Sequence, residues 1–234
     1  MGARSFMLAT RTPMSRDGFD TWLRTPLPDL AVIDNPSAMY TGWALDGADP
    51  DWDLTGLAVG SPQAAAAIRA DRTRTPLDLL ARRAAQGYHL IRHRDEALEV
   101  YLYDYHGEAS GTQTTLLMLA GAGRFAHPGT ETPVLYWGGD VHPGLPTPGD
   151  EPLAVLLVGD TRARFVDTYP LDTLITALTP VESDFLAATA EENPTQDSLD
   201  LLLDPALRAS QTPTGPTVHP CRPLLPASEP PTCP

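Results

Sequence analysis

The stretch from Leu98 to Gly123 constrains the fold more than any other part of the chain. It begins with Leu98, Val100 and Leu102 alternating with three tyrosines, and this period of two predicts a strand with one apolar face. A polar turn follows, and then a leucine-rich run with helical spacing, which glycines at 121 and 123 end. The sequence therefore predicts a strand followed directly by a helix that packs on a sheet.

Other segments carry their own strand and helix signals. Strands are predicted at 5–11, 39–45, 54–59, 88–92, 98–105, 134–137, 153–158 and 162–166. Helices are predicted after the caps Ser15 and Thr75, over 62–70, from Pro170, and again after a second capping box that begins at Thr179. These patterns predict an α+β fold with a mostly antiparallel sheet and packed helices.

The two halves of the chain show weak internal sequence similarity. An offset of 94 positions aligns Trp43 with Trp137 and the segment Pro-Leu-Asp at 76–78 with the same three residues at 170–172. One interpretation is a pseudo-duplication of two βαββα halves, at 5–92 and 97–190, with a groove between them. The other is ordinary α+β alternation with coincidental identities.

The last part of the chain differs from the rest in composition. Residues 213–234 contain eight prolines and carry both cysteines of the protein. We therefore predict an α+β domain over 1–190 and a Pro-rich, disordered or extended tail over 191–234, in which residues 199–207 could form one or two amphipathic turns. With both cysteines near the C-terminus, disulfides do not hold the predicted core together.

Charge limits the classes of partner. The formal net charge is -14, and all 16 basic residues are arginines, a bias typical of GC-rich bacterial genomes. Such a charge repels nucleic acid and anionic membranes and favours a basic partner. The sequence lacks an apolar run typical of a signal peptide or a membrane span, so we predict a cytoplasmic protein.

Three groups of residues are candidates for binding a partner. Four aspartates crowd one turn, the alternate tyrosines of the central strand form an amphipathic platform, and two tryptophans with an aspartate border the predicted groove. The candidates are Asp46, Asp49, Asp51, Asp53, Tyr101, Tyr103, Tyr105, Trp43, Trp137 and Asp140. Two alternatives stay open here: helices could cover the tyrosine face, and the two tryptophans could belong to the core and not to the groove. Arginines at 69–94 form the one basic region, either as an anion site, as a solvated face or as a surface that docks on the chain's own acidic loops.

No catalytic or phosphate-binding motif occurs, and we predict no cofactor. We therefore expect a non-enzymatic binding protein, such as an inhibitor or immunity-type protein, that holds a basic protein partner. Two alternatives stay open. The groove could bind a small ligand, or loop side chains could form a metal-dependent hydrolase site at Asp104, His106, Glu108, Asp140 and His142.

Overall fold

The N-terminal strand lies inside a sheet to which the central part of the chain also contributes. The computed structural model describes residues 5–84, 89–102, 109–139, 144–146, 152–190 and 202–210. Its strands are β1 (Ser5–Pro13), β2 (His89–Arg94), β3 (Ala97–Leu102), β4 (Thr132–Gly139), β5 (Ala154–Val158) and β6 (Ala163–Val166). They form one six-stranded sheet in the order β2-β3-β1-β4-β5-β6, and every neighbouring pair is antiparallel. This confirms the predicted α+β fold.

Helices cover both faces of the sheet. They are α1 (Arg16–Arg24), α2 (Thr55–Gly60), α3 (Pro62–Asp71), α4 (Pro76–Ala84), α5 (Ala109–Ala120), α6 (Leu171–Thr189) and α7 (Pro205–Ser210), with short 3-10 helices at Leu30–Val32, Pro36–Ala38 and Gly121–Phe125. One face presents Leu8, Val100 and Tyr136 to a core that α1, α4 and α5 share. The opposite face presents Met7 and Leu135 to α6. Burial on both faces explains why β3 and β5 are apolar at nearly every position.

Several local predictions are confirmed at the level of single hydrogen bonds. The hydroxyl of Ser15 accepts the N–H of Gly18 at 3.1 Å and so caps α1. The hydroxyl of Thr75 accepts the N–H of Asp78 at 3.2 Å, which begins α4 as the sequence predicts. The hairpin of β2 and β3 turns at Asp95 and Glu96, whose φ angles are 49° and 52°. Two successive left-handed residues are typical of the type I′ turn, which matches the twist of the flanking strands.

Two of the predicted strands are wrong. Residues 39–46 form turns, and 55–60 form helix α2. The buried apolar residues of this segment do not alternate as on one face of a strand: the neighbours Met39 and Tyr40 are both buried, and so are Trp52 and Leu54. Because these elements have no strand character, the βαββα pseudo-duplication is not confirmed, and the strands of both predicted halves belong to one sheet.

Helix α6 also differs from the prediction of two helices. It runs without a break through Pro180, although proline removes one helical hydrogen bond. Leu178 and Val181, on either side of this proline, are both buried against the sheet. Burial of this apolar stripe offsets the loss of the hydrogen bond, and so the helix continues.

Both edges of the sheet are covered by other parts of the chain. At the β6 edge, the side-chain amide of Asn35 accepts the N–H of Phe165 at 2.8 Å and donates to its carbonyl at 2.9 Å. At the β2 edge, the N–H of Ile91 donates to the carbonyl of Leu202 and its carbonyl accepts the N–H of Asp204, at 2.7 and 2.8 Å. Covered edges offer no template for another strand.

The segment at the β2 edge belongs to the region that the sequence analysis assigned to a Pro-rich tail from 191 onward. The structure gives its residues 202–210, here called the strap, a defined position. Leu202 and Leu207 of the strap are buried, and α7 contacts α4. The strap is therefore part of the packed domain.

Candidate functional site

The predicted acidic turn, residues 46–53, is held at both ends by tryptophans. The indole N–H of Trp43 donates to the carbonyl of Val166 at 2.6 Å, and that of Trp52 donates to the carbonyl of Pro36 at 2.8 Å. Gly42, just before the turn, has φ of +80°, and a Cβ atom there would lie 2.6 Å from the carbonyl oxygen of Asp167. The backbone of the turn is thus fixed against β6 and the 3-10 helix at Pro36–Ala38.

The four aspartates of this turn do not share one role. Asp51 caps helix α2: its carboxylate accepts the N–H groups of Thr55 and Leu57 at 2.7 and 3.0 Å. The N–H of Leu57 is the largest cause that lowers the pKa of Asp51, and the hydroxyl of Thr55 contributes as well. Asp51 is therefore a structural residue in addition to a charge on the surface.

The side chains of Asp46, Asp49 and Asp53 are exposed. Asp46 accepts the N–H of Gly42 at 3.2 Å, and none of the ion pairs found among the described residues includes any of the three carboxylates. Asp49, Asp51 and Asp53 line an open cleft of about 420 Å³. Leu30, Pro36 and Trp52 give this cleft apolar walls. The arrangement suits a cationic group attached to an apolar stem.

Arginines next to the acidic turn bind its backbone. Arg69 donates to the carbonyl of Asp53 at 3.3 Å, and Arg72 donates to the carbonyl of Trp52 at 2.6 Å. Farther along the basic region, Arg74 and Arg82 pair with Asp71. The hypothesis that this region docks on the chain's own acidic loops thus describes Arg69 and Arg72, although both arginines contact carbonyl groups and not carboxylates.

A buried ionic cluster is a feature that the sequence analysis missed. Glu99 of β3 is 1% exposed and lies between Arg11 of β1 and Arg92 of β2, its neighbours in the sheet register. Arg92 and Arg94 also pair with Asp184 of α6. The cluster joins α6 to three strands. A glutamate inside an apolar strand pattern is the one signal in the sequence that points to it.

Of the aromatic binding residues that the structure describes, Tyr101 and Trp137 are buried and Trp43 is half-buried. Tyr101 lies beneath α6, where its ring stacks on that of Phe185 at 4.8 Å and contacts the edge of Trp137 at 6.0 Å. Trp137 donates its indole N–H to the carbonyl of Gly144, and Trp43 packs against the same cluster. Of the two interpretations of the tyrosine face, cover by a helix applies to Tyr101, because α6 packs on this face of the sheet. Trp137 belongs to the same core, so neither side chain faces a partner or a groove.

Other predicted site residues lie outside the described residues, namely Tyr103, Tyr105, Asp104, His106, Glu108, Asp140 and His142. In the part of the chain that is described, no group of three or more His, Cys, Asp or Glu side chains is arranged to hold a metal ion. Two apolar residues near the acidic turn are exposed, Leu45 at 38% and Val59 at 88%. Their exposure depends on the turns and on helix α2, which the sequence analysis did not predict.

Comparison with known proteins gives no relative: no family model, no curated protein and no solved structure matches this chain. Within the ranges described above, no helix combines the length and the apolar character that crossing a membrane requires.

Proposed function

We propose that this chain is a non-enzymatic, cytoplasmic binding protein that holds a basic protein partner through its acidic turn, as an inhibitor or immunity-type protein does. One observation carries the proposal: Asp46, Asp49 and Asp53 are exposed and take part in none of the ion pairs found among the described residues, although Arg69 and Arg72 bind the backbone of the turn at Asp53 and Trp52. The cleft that Asp49 and Asp53 line adds apolar walls at Leu30 and Trp52.

Electrostatics favours this assignment. Carboxylates crowded in one turn repel each other, and the formal net charge of -14 adds to their field. A partner with lysines or arginines removes this repulsion on binding, and the field speeds its approach. Exposed apolar side chains at Leu45 and Val59 add surface that a protein partner can bury, which a small cation cannot do.

The test uses a fluorescent nona-arginine peptide as the basic probe and measures its binding to the full chain in a series of NaCl concentrations. We compare the triple variant Asp46→Asn, Asp49→Asn, Asp53→Asn with a control that also removes three exposed carboxylates, Asp17→Asn, Asp160→Asn, Asp172→Asn. Asp51 is left intact because it caps α2. The triple variant and the control each lose three negative charges.

We expect the first variant to bind the probe at least about fivefold more weakly at low salt than the control does, because local carboxylates act within a Debye length of roughly 10 Å. The difference should shrink as NaCl is raised. Equal binding by the two variants would reject the acidic turn as the binding surface and leave only the overall charge of the protein.

A further inference from the structure

Arg72 joins the acidic turn to the interior of the domain. It follows α3, and its guanidinium donates to three different groups: the carbonyl of Trp52 at 2.6 Å, the side-chain carbonyl of Gln113 at 3.4 Å and the hydroxyl of Thr114 at 3.4 Å. Gln113 and Thr114 belong to α5, which lies in the core. One side chain thus bridges the turn and a buried helix.

This bridge lies in an unusual environment for an arginine. Arg72 is half-buried, and the ion pairs found in the described ranges do not include it. Burial lowers the pKa of Arg72, the carboxylates of Asp53 and Asp51 oppose this shift, and the charge of Arg69 adds to it. Gln113 is fully buried, and its side-chain NH₂ group has no hydrogen-bond partner among the described residues. A half-buried cation that binds neutral groups costs free energy that direct pairing with an aspartate would reduce.

The contacts of Arg72 have a consequence for the turn. The guanidinium donates a hydrogen bond to the carbonyl of Trp52 and so fixes the backbone between Asp51 and Asp53. It does not neutralise either carboxylate through a close ion pair. Arg69 makes a similar contact to the next carbonyl, at 3.3 Å, from an exposed position. Its contact is longer, and none of the hydrogen bonds found among the described residues joins Arg69 to α5.

We propose that Arg72 is a positioning residue that holds the acidic turn in its binding conformation while leaving Asp49 and Asp53 free to meet a basic partner. The inference rests on the proposed function and adds to it the residue that prepares the surface. Preorganisation of this kind raises affinity, since less conformational freedom is lost on binding.

The direction in which Arg72→Ala changes the affinity for the nona-arginine probe tests the proposal. Arg72→Ala removes a positive charge beside the turn, so electrostatics alone predicts tighter binding of the nona-arginine probe. Positioning predicts the opposite, a loss of roughly threefold or more, because the turn is no longer fixed. The matched control Arg69→Ala removes the same charge and no contact to α5, and we expect it to bind the probe equally well or slightly more tightly.

A second variant separates charge from geometry. Arg72→Lys keeps the charge, but an ammonium group cannot reach three acceptors as the planar guanidinium does. We expect it to bind the probe more weakly than the wild type, as Arg72→Ala does. Binding is measured well below the melting temperature of every variant, so that all are folded.

Hydrogen exchange of the backbone over residues 45–60 gives a readout that needs no ligand. Exchange should be faster in both Arg72 variants than in Arg69→Ala. Probe binding by Arg72→Ala as tight as that of Arg69→Ala, or unchanged exchange in this segment, would overturn the inference. If the exchange changes as expected but the wild type binds the probe no better than its triple asparagine variant does, the proposed function fails while the positioning of the turn by Arg72 stands.

Discussion

The guanidinium of Arg16 donates two hydrogen bonds to the carboxylate of Asp204, at 2.7 and 3.0 Å, and joins the first helix of the domain to the strap. The side chain of Asp204 is 1% exposed and also accepts the N–H of His93 at 3.3 Å and that of Ala206 at 3.0 Å. It therefore ties α1, the edge strand β2 and the strap together at one point.

Replacing this carboxylate should destabilise the domain. We expect Asp204→Ala to lower the free energy of unfolding by about 2 to 4 kcal/mol, because it removes a buried carboxylate and leaves the N–H groups of His93 and Ala206 without their acceptor and Arg16 without its main partner. Urea denaturation measures the change. Asp20→Ala, which removes the half-buried second partner of Arg16, should cost less than about 0.5 kcal/mol. Similar losses of unfolding free energy in Asp204→Ala and Asp20→Ala would show that the burial of Asp204 does not strengthen its contribution to stability.

The same carboxylate should make stability depend on pH. Burial by itself raises the pKa of Asp204, but the hydrogen bonds from Arg16, Ala206 and His93 outweigh it, and the net pKa lies below the ordinary 3.8. A carboxylate with a lowered folded-state pKa contributes stability above its unfolded pKa and loses that contribution as the pH falls through the folded value.

We therefore expect the melting temperature of the wild type to fall steeply below about pH 4. Asp204→Asn should melt lower than the wild type at pH 7 and lose less on acidification, so that the two melting curves converge. Calorimetric scans between neutral pH and pH 3 measure this difference. A constant gap between the two proteins over that range would contradict the role given to the carboxylate.

Truncation should distinguish the strap from the residues after it. A chain that ends at residue 201 loses the buried side chains of Leu202 and Leu207, and we expect a loss of several kcal/mol of stability. A chain that ends at residue 210 keeps both and should melt close to the full-length protein. As a milder test, Leu207→Ala should cost roughly 2 to 4 kcal/mol. If the chain ending at 201 melts at the temperature of the wild type, the strap does not stabilise the domain and belongs to the predicted tail.

Asp51 and Asp49 should respond differently to substitution. Asp51→Ala removes the acceptor of the N–H groups of Thr55 and Leu57, so it should lower the melting temperature measurably. Asp49→Asn removes an exposed charge in a crowded turn and should leave the melting temperature unchanged or slightly raised. Thermal denaturation followed by circular dichroism compares the two. The opposite order would mean that repulsion in the turn outweighs the cap of α2.

The sequence shows the acidic turn as four aspartates within eight residues, but it does not show that these aspartates have different structural roles. Asp51 becomes a cap only because the chain turns into α2, which the sequence pattern presented as a strand. Arg72 likewise acquires its role from α5, more than 40 positions away, where Gln113 and Thr114 receive its hydrogen bonds. The number of charged residues follows from composition, whereas the hydrogen-bond partners of each charged side chain depend on packing.

The sequence alone determined the elements whose signals are local. The caps at Ser15 and Thr75 act within three residues, and the alternation of β3 and the helical spacing of α5 each repeat within a few positions. Tertiary structure decided the rest: the order of the strands, the continuation of α6 through Pro180, and the cover that α6 places over Tyr101. Packing energy between distant segments outweighs local preference in each case, and the pairing of Arg16 with Asp204 across 188 positions has no local signal at all.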